Sequence, residues 1–180
     1  MIGSGDFSSG TLKNILINGL ARTKYYFSKL MLAMLFSTIM LISSIVIPTI
    51  IVSLLNGFGG RFDGEFIGNV IKAFSLQLYM FLVFTSIGIF FVFTTRRTAA
   101  VNGLYISFCL IPMLLIVLLW GISEKFSVLL DYEMVMNIRV AATANSMAPD
   151  EIVKMIIVGF VYLLLSLVGG LTLFRKCDIK

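Results

Sequence analysis

Four long stretches without charge decide what this chain can become. Leu30 to Leu55, Ala73 to Thr95 and Thr98 to Trp120 hold no Asp, Glu, Lys or Arg, and Ile152 to Phe174 holds only Lys154, close to its end. At 1.5 Å per residue the first stretch would reach roughly 39 Å as a helix, against a hydrocarbon core of roughly 30 Å. Tilt, or an end outside the core, is expected of it, and Pro48 near its far end is a place for a kink. Composition agrees. The chain is 59% hydrophobic and 13% charged, with a mean hydropathy of +1.03, where soluble domains are about 45–50% apolar and about 25% charged. A bilayer is the natural solvent for such a surface. The first stretch is too long for a secretory signal and is not followed by a small-residue cleavage site. The expectation is an all-α membrane protein: one transmembrane domain over residues 1–180, with spans at about 30–55, 73–95, 98–120 and 152–174 and an outer loop at 121–151.

The charges orient those spans. Residues 1–29, 96–97 and 175–180 hold Lys13, Arg22, Lys24, Lys29, Arg96, Arg97, Arg175, Lys176 and Lys180 against only Asp6 and Asp178. The remainder holds five basic and seven acidic residues. The positive-inside rule puts the basic side in the cytoplasm, with both termini inside a bacterial-type cell membrane, which requires an even number of spans. Tyr25 and Tyr26 at the inner edge and Trp120 at the outer edge suit interfacial belts. The outer loop mixes apolar and charged residues, so one or two short helices are expected there, either dipping into the outer leaflet or covering the bundle. Ser123 before Glu124 is a helix-capping pair. Pro149, Asp150 and Glu151 restart a helix, with proline in the first turn and acids at the positive end of the dipole.

Much chemistry is excluded. There is no histidine, which removes histidine triads, histidine metal sites and histidine proton relays. Cys109 and Cys177 are too few for a disulfide framework or a zinc cluster. No GxxxxGK[ST] loop occurs, so the chain should not hydrolyse nucleotide itself. The span interiors lack the ionisable groups that ion-coupled transporters and intramembrane metalloproteases use. No catalytic residue and no metal site are expected, and no basic-aromatic module for nucleic acid is present. Hydroxyls such as Ser37 and Thr85 are expected to bond their own backbone or join helices. Gln77 and Asn102 are costlier to bury and serve either as interhelical glue or as the lining of a polar pathway. Ser166 and Gly170 form a small-xxx-small pair on the last span, with Gly169 beside them, and mark a close helix approach.

The segment before the first span reads DFSSGTLKNILINGLARTKYYFSK, Asp6 to Lys29. Ser8 or Ser9 can cap a short helix over Thr11 to Ile17, on which Leu12, Ile15 and Leu16 share one apolar stripe. Asn18-Gly19 is a turn, and a second helix then runs through Arg22 into the membrane. The short helix is either a surface anchor on anionic lipid or a docking helix for a cytoplasmic partner.

Those residues resemble the cytoplasmic loop of ABC-2 type transporter permeases, including the bacteriocin-immunity and drug-export kinds. In that loop an acidic residue stands four before Gly-Thr, a K-x-(I/L)-L run follows, then a small residue with Arg, and Ser-Lys opens the next span. Asp6, Gly10, Thr11, Lys13, Leu16, Arg22, Ser28 and Lys29 match as they stand, and the ending LFRKCDIK is similar to the family's basic terminus. Ala21 and Cys177 depart from the pattern. The resemblance implies a type V exporter-like fold in which Asp6, Gly10, Thr11, Leu12, Lys13, Ile15, Leu16 and Arg22 form a coupling segment in a groove of an ATP-binding cassette ATPase. It also implies a second permease subunit, identical or not, and a short helical hairpin before the last span. ATP and magnesium would sit on the partner ATPase, with no cofactor on this chain. Family members follow a six-span plan with two spans before this loop. A chain beginning at the loop is then expected to be a truncated permease, or a shortened variant that assembles with other subunits. The function that follows is the membrane subunit of an ATP-driven exporter. The alternative is an integral membrane immunity or assembly protein that works by binding.

Overall fold

A computed structural model describes residues 21–57, 64–95, 97–143 and 147–176. Helix α1 spans Arg22–Asn56, α2 Gly64–Thr95 and α3 Thr98–Ile122. A 3₁₀ helix, Glu124–Tyr132, follows, then the short α4, Met134–Ala141, and finally α5, Pro149–Lys176. No strand occurs among the described residues. Helices are the form that lets each backbone N–H find its acceptor within one segment when no water is at hand. Hydroxyls follow the same rule: Thr38 donates to the Met34 carbonyl at 2.9 Å and Thr94 to the Phe90 carbonyl at 2.8 Å, each one turn back.

Four of the helices, α1, α2, α3 and α5, are long and apolar enough to cross a membrane. The chain is an all-α membrane protein. The helices extend beyond the uncharged stretches they contain: α1 begins at Arg22 and α2 at Gly64. Polarity ends a lipid-embedded run, but only a cap or a breaker ends a helix. For α1 that breaker is Gly57, at φ 73° and ψ 168°, a positive-φ backbone that glycine adopts without penalty.

The α2–α5 pair forms the most extensive interface, with α1 laid on both and α3 on the edge of α2. Two buried clusters result. One gathers Tyr25, Tyr26, Leu30, Phe93, Val101 and Phe174 at the end that carries Arg22, Arg97 and Arg175, here called the basic end. The other joins Leu76, Met80 and Val83 of α2 to Met134 and Ala141 of α4 and Met155 of α5, at the cap end.

Two sequence expectations change here, the interfacial tyrosines and the Ser123 cap, while the short helices of the loop are as expected. Tyr25 and Tyr26 lie at the end assigned to them but turn inward, at 3% and 0% exposed, rather than facing a lipid headgroup layer. The loop expected between α3 and α5 holds two short helices, and it covers the bundle through the buried Met134, Asn137 and Ala141. Ser123 precedes the first of these helices in extended conformation but makes no side-chain cap. The capping residue is Glu133, whose carboxylate accepts from Val135 N at 3.0 Å and Met136 N at 2.6 Å. The restart at Pro149 is as expected, and Glu151 reaches back to accept from Ala148 N at 3.1 Å, half of a capping box.

Candidate functional site

Seven of the residues assigned to the coupling segment, Asp6, Gly10, Thr11, Leu12, Lys13, Ile15 and Leu16, lie outside the described residues. The eighth, Arg22, opens α1. Its Nη1 donates to the backbone oxygen of Arg175 at 2.8 Å, in the last turn of α5, where carbonyls lack intrahelical partners. The beginning of α1 is thereby tied to the end of α5.

Directly behind that tie sits an aromatic cluster. Tyr26 and Phe93 have ring centroids 4.9 Å apart, Phe93 and Phe174 4.7 Å, and Tyr25 lies 6.1 Å from both Phe93 and Phe174. Such tilted and edge-on pairs add packing energy beyond the area they cover. Lys29 stands over the Tyr25 ring at 5.5 Å. Three helices, α1, α2 and α5, are therefore locked together within two turns of the point where the chain enters the bundle.

Ser166 and Gly170, singled out as a close approach, are brought together with Tyr26. A Cβ built on Gly170 would lie 2.6 Å from the Tyr26 hydroxyl oxygen, so the ring occupies the space a side chain would need. The same hydroxyl donates to the Ser166 carbonyl at 3.4 Å, and the Ser166 side chain meets Ser86 of α2 at 2.7 Å in a fully buried pair. The arrangement recurs. Tyr79 lies across Gly159, with a virtual Cβ at 2.7 Å, and donates to the Ile156 carbonyl at 2.9 Å. Tyr105 lies across Gly88 and donates to the Phe84 carbonyl at 3.3 Å. In each case a tyrosine uses a glycine notch on a neighbouring helix, and its phenol satisfies itself on a carbonyl about one turn before that glycine. A buried phenol needs such a partner where water is excluded. The small residues were visible in the sequence, but the rings that fill them were not.

Gln77 and Asn102 are not brought together. Gln77 is half-buried on α2, one turn before Met80 of the cap-end cluster. Asn102 is exposed on α3, beside the buried Val101 of the basic-end cluster. Between these levels, a groove of about 390 Å³ opens along α1, α2 and α3, lined by Phe36, Ser37, Phe81, Thr85, Gly88 and Tyr105. Ser37 and Thr85 share a hydrogen bond across it. No group of three or more metal-ligating side chains occurs among the described residues.

Helices of this length, apolar around most of their surface and joined by hydroxyl pairs and glycine notches, define a multi-pass integral membrane protein. The family is more specific. Residues 5–110 match the model of the ABC-2 family transporter protein, more than half of the chain, and the chain belongs to that family. It is a membrane permease of the ABC-2 type. No curated protein and no solved structure matches it.

Proposed function

We propose that the chain is the membrane-spanning subunit of an ATP-driven exporter, and that Thr11 to Ile17 docks on a separate ATP-binding cassette ATPase. In this reading the bundle sits in the cell membrane with both termini in the cytoplasm, an orientation that the distribution of Lys and Arg supports. A second permease subunit completes the pathway, and ATP and magnesium belong to the ATPase.

The observation that carries this reading is the weld at the basic end. A segment that transmits force must be attached firmly to what it moves. The first turn of α1 is held to the last turn of α5 by Arg22, and Tyr25 and Tyr26 seat it against Phe93 and Phe174. A push on the residues just before Arg22 would then move α1, α2 and α5 as one body at that end. Closure of the paired ATPases would tilt the spans between inward- and outward-open states.

The test is co-purification with an ATP-binding cassette ATPase co-expressed from the same genome. The intact chain should retain the ATPase, and Leu12→Asp with Leu16→Asp should lose it without unfolding the bundle, because an apolar stripe cannot seat two carboxylates. Retention by the double variant would sink the docking assignment.

A further inference from the structure

The cap end contains a cavity of about 410 Å³ between the 3₁₀ helix, α4 and the start of α5. It lies beyond residue 110, outside the stretch that matches the family. Its walls are of two kinds. Val128, Leu130, Val140, Met136, Met147 and Met155 give an apolar lining, three of them flexible thioethers that adapt to a guest's shape. Ser127, Asp131, Asn137, Glu151 and Lys154 give the polar part.

The polar part favours one sign of charge. Lys154 is committed: its Nζ lies 2.6 Å from Asp131 Oδ2 and 4.8 Å from the centroid of the Tyr132 ring. Glu151 forms no direct ion pair among the described residues, though its charge is felt by Lys154 one turn on, and one of its oxygens serves as the cap acceptor for Ala148 N. Asn137 is 6% exposed, and its Nδ2 donates to the Asp131 and Glu133 carbonyls at 2.9 and 2.7 Å. Its side-chain oxygen accepts no hydrogen bond among the described residues, although the residue lines the cavity. No side-chain oxygen or nitrogen among the described residues is both buried and unpartnered, so this oxygen is open to the cavity, free to accept from a guest or from water. The cavity thus offers spare acceptors and one net negative charge beside an apolar chamber.

We propose that this cavity is a binding site for an organic ammonium ligand, an amphipathic cation whose charged head donates to Asn137 Oδ1 and the Glu151 carboxylate and whose apolar body packs among the three methionines. The site stands apart from the ATPase-docking reading, and either can fail without the other. A volume of this size suits a small organic molecule rather than a folded partner.

The experiment is a fluorescence titration of the full chain in lipid nanodiscs with dansylcadaverine, an aliphatic primary amine carrying a fluorescent aromatic group. Empty nanodiscs are subtracted to remove partition into lipid. Saturable binding is expected. Glu151→Gln keeps the cap acceptor but removes the charge, and should weaken binding about tenfold, the worth of a lost charged hydrogen bond. Val140→Trp should fill the chamber and abolish binding. The N-acetylated probe, identical but neutral, should bind far more weakly than the amine. Equal binding of the acetylated and free amines, or an unchanged affinity in Glu151→Gln, would overturn the proposal. So would tighter binding of the matching dansyl carboxylate. The acetylated-probe comparison needs no variant, so a misfolded Val140→Trp does not weaken the test.

Discussion

The two ends of α1 have the same apolar character and opposite surroundings. At the basic end Tyr25, Tyr26, Leu30 and Ala33 are buried against α2 and α5. Toward the other end Ile47, Ile50, Val52, Leu54 and Leu55 are all more than half exposed, Leu54 at 80%. In water that difference would be read as instability. In a bilayer, lipid solvates an apolar side chain about as well as a neighbouring helix does, so hydrophobicity alone assigns no partner. What separates the ends is shape. The basic end faces Gly170, Ser166 and the flat rings of Phe93 and Phe174, and these let backbones approach. The helix is anchored where small residues and rings meet, and free where branched aliphatics stand alone.

The most damaging way to break the comparison is to fill the notch that makes the anchor. Gly170→Leu would drive a side chain into Tyr26, whose hydroxyl oxygen already lies 2.6 Å from a virtual Cβ. Overpacking of this kind should cost about 3 kcal/mol, read as a lowered unfolding midpoint in detergent. Adding Tyr26→Ala should recover part of the loss, because the ring is the obstacle. If the paired variant is no better than Gly170→Leu alone, the notch is not what fixes α1.

Phe93→Ala comes next. Phe93 is fully buried and touches Tyr25, Tyr26 and Phe174. A cavity in its place forfeits packing, but in lipid the transfer term largely vanishes, so a loss of about 2 kcal/mol is expected, below the usual range for a water-soluble core. ATPase retention should fall with it if the weld carries force.

At the cap end the effects should be smaller and local. Glu133→Gln retains an oxygen for one capping bond, whereas Glu133→Ala leaves Val135 N and Met136 N without their acceptor and should cost about 1 kcal/mol. Hydrogen exchange should speed up over Met134–Ala141 and leave the basic-end helices unchanged. Faster exchange in α1 as well would mean that the two ends are coupled more tightly than their separate clusters suggest.

These contrasts also separate what the sequence disclosed from what it withheld. The spans were legible because twenty or more residues without a charge have few other homes. The close approach at Ser166 and Gly170 was legible because small residues at that spacing have a packing use. Its counterpart was not, since nothing in the order of residues pairs Gly170 with Tyr26, more than a hundred positions away. For the same reason Tyr25 and Tyr26 read as interfacial: an aromatic at a span end has two uses, and the choice depends on whether a notch faces it. Glu133 was passed over because its cap rests on local geometry, while Ser123 holds the better residue type but makes no side-chain cap. The cap cavity depends on how three separated segments meet, which no periodicity encodes. The coupling segment, Arg22 apart, remains a reading of residues, since it falls outside the described stretch.

The smallest expected effect sharpens the comparison most. Val52→Ala and Leu54→Ala remove branches from a part of α1 that touches little of this chain. Each should change stability by no more than about 0.5 kcal/mol, as surface substitutions do, when the chain is isolated in detergent. The informative measurement repeats both variants in a bilayer at rising protein-to-lipid ratio. If the exposed half of α1 is solvated by lipid alone, the small cost should not change with protein density. A cost that grows as chains are crowded together would mean that another subunit covers this half, because only a protein surface can lose packing contacts to a shortened side chain as its own concentration rises. In that case the free end of α1 is an anchor of a second kind, made between chains rather than within one.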